Sequence, residues 1–341
     1  MSEYPDYSKN TFNIEVSQLD WSCYVATWRA DSLGYEPMSR SFVMPSVTRA
    51  PLWLMFAPLV FLMLWSGGYA TAKYGLQFAE PMTFLTLRYA LVVLIMAILF
   101  VILRPPLPAT RAGWMHLAVV GLLIQVGYFG FCYLAFKTGI AVGTLALIFS
   151  MQPILVCLIA PRWSGELISW HQWSGLLLAL LGTVVVILAR SAIAKPSSAA
   201  LLFAVIGLIG IVAGSLWEKR FGLDHHPVTA SLIGYVAGLL GVVPIMLATE
   251  TMQVTWNWGL AGALAYLVIG NSVIAVGLLL AMIRHGDVGR VSALFFMVPP
   301  LAAIIAWLLL GEQMPVLAWG GMLLAAMGVL LATRQRASAI S

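Results

Sequence analysis

From Pro51 to Thr333 the chain is a run of ten apolar stretches, near 51–72, 82–103, 113–136, 140–160, 171–189, 199–217, 229–249, 259–281, 289–310 and 315–333. Each is close to the ~20 residues with which a helix crosses ~30 Å of hydrocarbon. Inside lipid a spanning backbone must satisfy its own N–H and C=O groups, so stretches of this length predict helices. The expectation is an all-α integral membrane protein with ten transmembrane helices. Composition excludes the soluble alternative: of 341 residues, 61% are hydrophobic and 9% charged, against ~45–50% and ~25% in a typical soluble domain. The breaks between stretches are short and carry turn or charge signals, as at Arg104-Pro105-Pro106, Lys137-Thr138-Gly139, Lys195-Pro196-Ser197 and Gly311-Glu312-Gln313.

Charge is concentrated at the front. Residues 1–50 hold ten of the 31 charged side chains (18 basic plus 13 acidic) and read as a polar, disordered or loosely ordered cytoplasmic tail. They contain no signal-peptide h-region, and Met38 and Met44 offer alternative translation starts just before the apolar body. Basic residues fall unevenly between alternate loops. With the first residue cytoplasmic, thirteen Lys and Arg lie inside, and Lys73, Lys137, Arg190 and Lys195 lie outside. This bias places both termini of a multi-pass membrane protein in the cytoplasm. The net charge of +5 has no basic stripe behind it, so no nucleic-acid partner is expected. Cys23, Cys132 and Cys157 have no paired metal spacing, and no metal or other cofactor is expected.

The chain repeats itself at an offset of about 147 residues. Lys137-Thr138-Gly139 opens a stretch that reaches Pro153, and Arg284-His285-Gly286 opens one that reaches Pro300. Gly165-Glu166, Gly175 and Gly182 meet Gly311-Glu312, Gly321 and Gly328, while Lys73-Tyr74-Gly75 and Pro81 meet Arg220-Phe221-Gly222 and Pro227. The expected division is residues 51–190 and 191–333, each a five-helix repeat, followed by a short basic tail at 334–341. Five is odd, so the two copies would lie upside down relative to each other, the plan on which secondary transporters rock around a midplane site.

At this point the sequence resembles a known family. Leu64-Trp65-Ser66-Gly67-Gly68 through Lys73, the Ala79-Glu80-Pro81 to Arg88 segment, and the two helix-Gly-Glu-helix endings are similar to the EamA family of the drug/metabolite transporter superfamily, over about residues 53–333. The resemblance implies a carrier of the inner (plasma) membrane working without ATP, often an exporter of amino acids, metabolites or xenobiotics. It also implies that the third, fourth, eighth and ninth helices line a central cavity.

Polar groups deep in lipid are costly unless satisfied, so their positions carry the chemistry. Gln125 lies near the centre of the third stretch, on a stripe with Gly121, Tyr128 and Cys132 at three- to four-residue spacing; Ser272 and its neighbour Asn271 are central in the eighth. Gln125, Tyr128, Asn271 and Ser272 are candidates for substrate hydrogen bonding, the alternative being glue between helices. Ser150 and Gln152 precede Pro153 in the fourth stretch, and Pro299 and Pro300 interrupt the ninth. Proline breaks at related positions mark candidate gating elements. Trp65 is deep enough to wall a cavity.

Arg88 is a full charge inside the second stretch, and two readings stay open: attraction of a substrate carboxylate, or snorkelling to hold the extracellular rim. Past residue 50 the carboxylates Glu80, Glu166, Glu218, Asp224, Glu250, Asp287 and Glu312 all stand at span ends or in loops. None is a clear proton relay; Glu218, His116 and His285 are the nearest options and each is peripheral, so the expectation is facilitated diffusion, or a coupling too subtle to read from sequence. A membrane-embedded enzyme would need a gathered nucleophile and base, and a channel would need repeated polar filter residues; neither set is visible. Gly210 and Gly214 form a small-xxx-small pair that leaves a homodimer open, with packing inside one chain the simpler reading.

Overall fold

Short helix-stopping signals cut the apolar sequence into rods, and the computed structural model describes these at residues 53–159, 170–191, 196–221, 225–285 and 295–333. The tails 1–50 and 334–341 lie outside the described residues. The first rods are α1 (Trp53–Gly75) and α2 (Pro81–Leu103). A third is continuous from α3 (Arg111–Gly121) through a π-helical stretch, Leu122–Gly130, into α4 (Phe131–Lys137). Next come α5 (Val142–Phe149), α6 (Gln152–Ile159) and α7 (Trp170–Ser191). After these come α8 (Ser198–Phe221), α9 (Pro227–Thr249), and a rod formed by α10 (Trp258–Ala265), a second π-helical stretch, Tyr266–Ala275, and α11 (Val276–His285). A 3₁₀ turn, Phe295–Met297, leads into α12 (Val298–Leu310), and α13 (Val316–Thr333) follows.

The local chemistry explains these limits. Pro81 and Pro227 sit in the first turns of α2 and α9, where a missing N–H costs nothing. Thr110 and Asn257 cap α3 and α10 by accepting the Gly113 and Leu260 N–H groups at 3.1 and 2.8 Å. Gly311 ends α12 at φ 68°, a left-handed conformation that favours glycine.

Among the described residues, five helical spans are long and apolar enough to cross a membrane: Pro81–Leu103, Arg111–Lys137, Ser198–Glu218, Pro227–Thr249 and Trp258–Leu279. Shorter apolar helices stand beside them. Large apolar side chains point away from the protein, with Val101 69% and Leu308 71% exposed. Such surfaces suit lipid and not water. The buried interior runs between the two parts of the chain: α1 packs on α12 and on the second π stretch, α2 on α9, the third rod on α8 and α9, and α7 on α13.

At the end of the bundle that carries the α1–α2 turn, two carboxylates cross between these parts. Glu250, just after α9, accepts the Met82 and Thr83 N–H groups at 2.7 Å and the Thr83 hydroxyl at 2.8 Å, capping α2 from outside. Glu80, just before α2, accepts from Thr251 N–H and hydroxyl at 2.8 and 2.9 Å and from Met252 N–H at 3.2 Å. Thr255 N–H donates to the Phe78 carbonyl at 2.8 Å beside a single bridge between Ala79 and Val254. Hydrogen bonds to an ionised acceptor contribute more than neutral ones, and a helix N-terminus adds a favourable dipole. Glu250→Ala is therefore expected to cost about 2 kcal/mol. Thermal unfolding of the purified protein checks this, with Glu250→Gln falling between the two.

Candidate functional site

The two π-helical stretches lie midway along their rods and contain Gln125 and Tyr128 in one, Asn271 and Ser272 in the other. Bonding from i to i+5 widens each turn and redirects the side chains beyond it. The stripe expected from a 3.6-residue period therefore divides. Gly121 meets the backbone of Gly234, and Gln125 lies against Gly238, both on α9. Tyr128 and Cys132 instead face an internal cavity.

That cavity has an empty volume of about 340 Å³, the open space at its mouth included. From α1 come Trp65, Gly68, Tyr69 and Ala72, positions spaced by one and three residues along one helix face. From the third rod come Tyr128, Phe129, Cys132, Tyr133 and Phe136. Leu267 and Asn271 close it from the second π stretch.

Arg88 reaches this cavity from α2 and is 1% exposed. The snorkelling expectation is thus replaced by a guanidinium buried among rings, because α9 and the third rod cover that face of α2. One Nη donates to the Tyr133 hydroxyl at 3.1 Å and the other to Ser272 Oγ at 3.2 Å. The guanidinium carbon lies 4.7 Å from the centre of the Phe129 ring, a cation–π distance. Nε is buried without a partner, and no carboxylate pairs with Arg88 among the described residues. Ser272 also accepts from the Tyr235 hydroxyl at 3.1 Å, which joins α9 to the network.

The other candidate residues separate into two groups. Trp65, Tyr128, Asn271 and Arg88 line the cavity, with Ser272 behind Arg88. The Tyr128 hydroxyl pairs with that of Tyr69 at 3.0 Å, and Asn271 Nδ2 donates to the Leu64 carbonyl at 3.2 Å, tying the second π stretch to α1. Gln125, Ser150 and Gln152 are not among its walls. The Gln125 carbonyl accepts from Tyr89 at 2.8 Å, Ser150 bonds its own helix at the Leu147 carbonyl, and Gln152 donates to Ser215 on α8 at 2.7 Å. Pro153 falls in the first turn of α6, after a break at Ser150 and Met151. Pro299 and Pro300 fall in the first turn of α12. Gly210 and Gly214 pack against Gly127 and Ile124 of the same chain, so their small-residue face is already covered.

Residues that sequence reasoning passed over include Tyr69, Phe129, Tyr133 and Phe136. Phe129, Cys132, Tyr133 and Phe136 stand at i, i+3, i+4 and i+7, a one-face spacing readable in principle but indistinguishable from ordinary core.

The model of the EamA-like transporter family matches residues 51–188 and again 196–334. The chain belongs to the EamA-like transporter family. Among relatives of this EamA-like protein, one from Salmonella typhimurium, described as a probable amino-acid metabolite efflux pump, is 24% identical over 76% of this chain and 87% of its own length. An Escherichia coli protein of the same description is 23% identical over 80% of this chain and 91% of its own. A probable terminal-alkyne amino-acid exporter of Streptantibioticus cattleyicolor is 26% identical over 57% of this chain and 64% of its own. One solved crystal structure superposes with a TM-score of 0.57 at 19% identity, covering 82% of this chain and 96% of that one, which shows a shared fold. The EamA-like chain is thus a multi-pass membrane protein of a transporter family.

Proposed function

We propose that this EamA-like protein is an ATP-independent carrier that exports small metabolites by alternating access, with ten spanning helices in two inverted five-helix repeats and both termini cytoplasmic. The observation that carries this reading is the cavity of aromatic and polar residues. Its walls come from residues in both family-matched segments, Trp65 to Phe136 in one and Leu267 with Asn271 in the other. A pocket halfway along the spanning helices, at the junction of the two repeats, is where secondary transporters bind their cargo. The relatives described as amino-acid exporters point to the same direction of flow. Of the described carboxylates, Glu80, Glu250 and Glu312 are engaged at one end of the bundle, Glu218 lies in the last turn of α8, and none pairs with Arg88, which favours transport without proton coupling. Pro153, Pro299 and Pro300 sit where α6 and α12 begin, and we assign these breaks to gating.

Counterflow of radiolabelled amino acids in proteoliposomes tests the reading. Saturable exchange of chemically unchanged compound is expected. Asn271→Ala should raise KM about fivefold, the equivalent of one hydrogen bond of about 1 kcal/mol. Gln125→Leu, outside the cavity walls, should leave KM unchanged. Absence of saturable exchange would reject the carrier, and a chemically altered product would favour an enzyme.

A further inference from the structure

Arginine carries five N–H donors, and Arg88 gives two of them to described side chains. Its Nε is buried with no partner, and its charge is faced by tyrosine hydroxyls, one serine and an aromatic ring. An unpaired guanidinium in so dry a place is costly, and tyrosine or serine oxygens return part of that cost and no charge. Structural arginines in such settings are normally matched by a carboxylate. Here no carboxylate among the described residues matches it, and Arg88 lines a cavity.

We infer that Arg88 is the anion-binding residue of this cavity and takes the carboxylate of a small organic acid or amino acid whose apolar body lies against the aromatic walls. The planar fork of a guanidinium fits a carboxylate with two parallel hydrogen bonds, and Nε–H with an unused Nη–H supplies such a pair. Tyr133 and Ser272 hold the other edge and fix the orientation of the fork. Phe129 covers one face, leaving the carboxylate to approach in the plane. Trp65, Tyr69 and Tyr128 supply ring surface for the rest of the molecule. Among the described residues no second cationic side chain lines the cavity, so the site selects one negative charge and discriminates against dianions. Calling the occupant a transported substrate rests on the carrier reading above; the binding site itself does not.

Phenylacetate and phenylacetamide are matched probes that differ in charge. Equilibrium dialysis against the purified full-length chain in nanodiscs should show phenylacetate binding at least about tenfold tighter than the amide, as a charge-assisted pair requires. Arg88→Gln should erase that preference, and Arg88→Lys, which keeps the charge without the fork, should retain part of it. Acetate should displace bound phenylacetate from the wild-type protein and acetamide should not, a result that stands even where the glutamine variant fails to fold. Equal binding of acid and amide, binding of neither, or an unchanged preference in folded Arg88→Gln would overturn the assignment and leave Arg88 a strut between helices. Saturable counterflow of neutral compounds with acids ignored would reject the site and keep the carrier. Phenylacetate bound through Arg88 but never exchanged would do the reverse.

Discussion

Gly328→Val is expected to leave little folded protein. Helices α7 and α13 approach so closely that backbone touches backbone. A Cβ on Gly328 would stand 2.4 Å from the Ala179 nitrogen and 2.7 Å from the Gly175 oxygen. Three residues along the seam, a Cβ on Gly182 would stand 2.4 Å from the Ala325 nitrogen. No side chain can rotate away from such a contact, so the helices themselves must part. In lipid the apolar effect does not push helices together, and their association depends on van der Waals contact along this seam. A gap of 0.5–1 Å forfeits roughly a quarter to a half of each contact's attraction. The expected loss is about 3 kcal/mol or more, read as disappearance of the monodisperse peak and a fall in Tm. Gly320→Val supplies the control on the same helix: nothing lies within 4 Å of its Cβ, and it should be close to neutral. Equal damage from both substitutions would show that the seam is not the cause.

The rods themselves were legible in the sequence because hydrocarbon imposes length and apolarity together. The ends of α2 at Arg104-Pro105-Pro106 and of α12 at Gly311 follow from backbone rules that need no tertiary context. Trp65, Tyr128 and Asn271 were findable as cavity residues by their depth and polarity. The position of Gln125 was not, because a 3.6-residue period cannot register the wide turns at Leu122–Gly130, which carry Gln125 toward Gly238. The setting of Arg88 was equally hidden. Whether a long basic side chain reaches an interface or stays inside depends on which helices cover it, and α9 is far away in sequence. Tyr133 and Phe136 lay in plain view without distinction, since an aromatic at helical spacing reads the same in a core as in a binding wall.

Glu312→Gln is expected to expose the cavity from the end of the bundle that carries the α1–α2 turn. Lys73, in the last turn of α1, donates to Glu312 Oε1 at 2.6 Å and to the Ile140 carbonyl at 2.6 Å. Glu312 Oε2 accepts the Val142 N–H at 3.0 Å and so caps α5. One carboxylate thereby joins α1, the start of α5 and the α12–α13 turn. Lys73 Nζ lies 5.9 Å from the Phe136 ring, and Phe136 and Ala72 are cavity walls, so the pair stands on the roof of the site. The side chains are 23% and 14% exposed, enough for solvent to temper the attraction without cancelling it. A contribution of about 1–2 kcal/mol corresponds to a change of roughly 5- to 30-fold in the open population. Glutamine keeps an oxygen for Val142 and removes the charge, which isolates the ion pair from the cap. Cys132, buried in the cavity wall, is the reporter: with Cys23 and Cys157 replaced by Ser, an impermeant maleimide should modify it several times faster in Glu312→Gln than in the parent. Lys73→Met should act in the same direction. The double variant should add little to the larger single effect, because both remove one shared interaction. Unchanged labelling in both single variants would show that the roof is held by the Glu80 and Glu250 exchange instead.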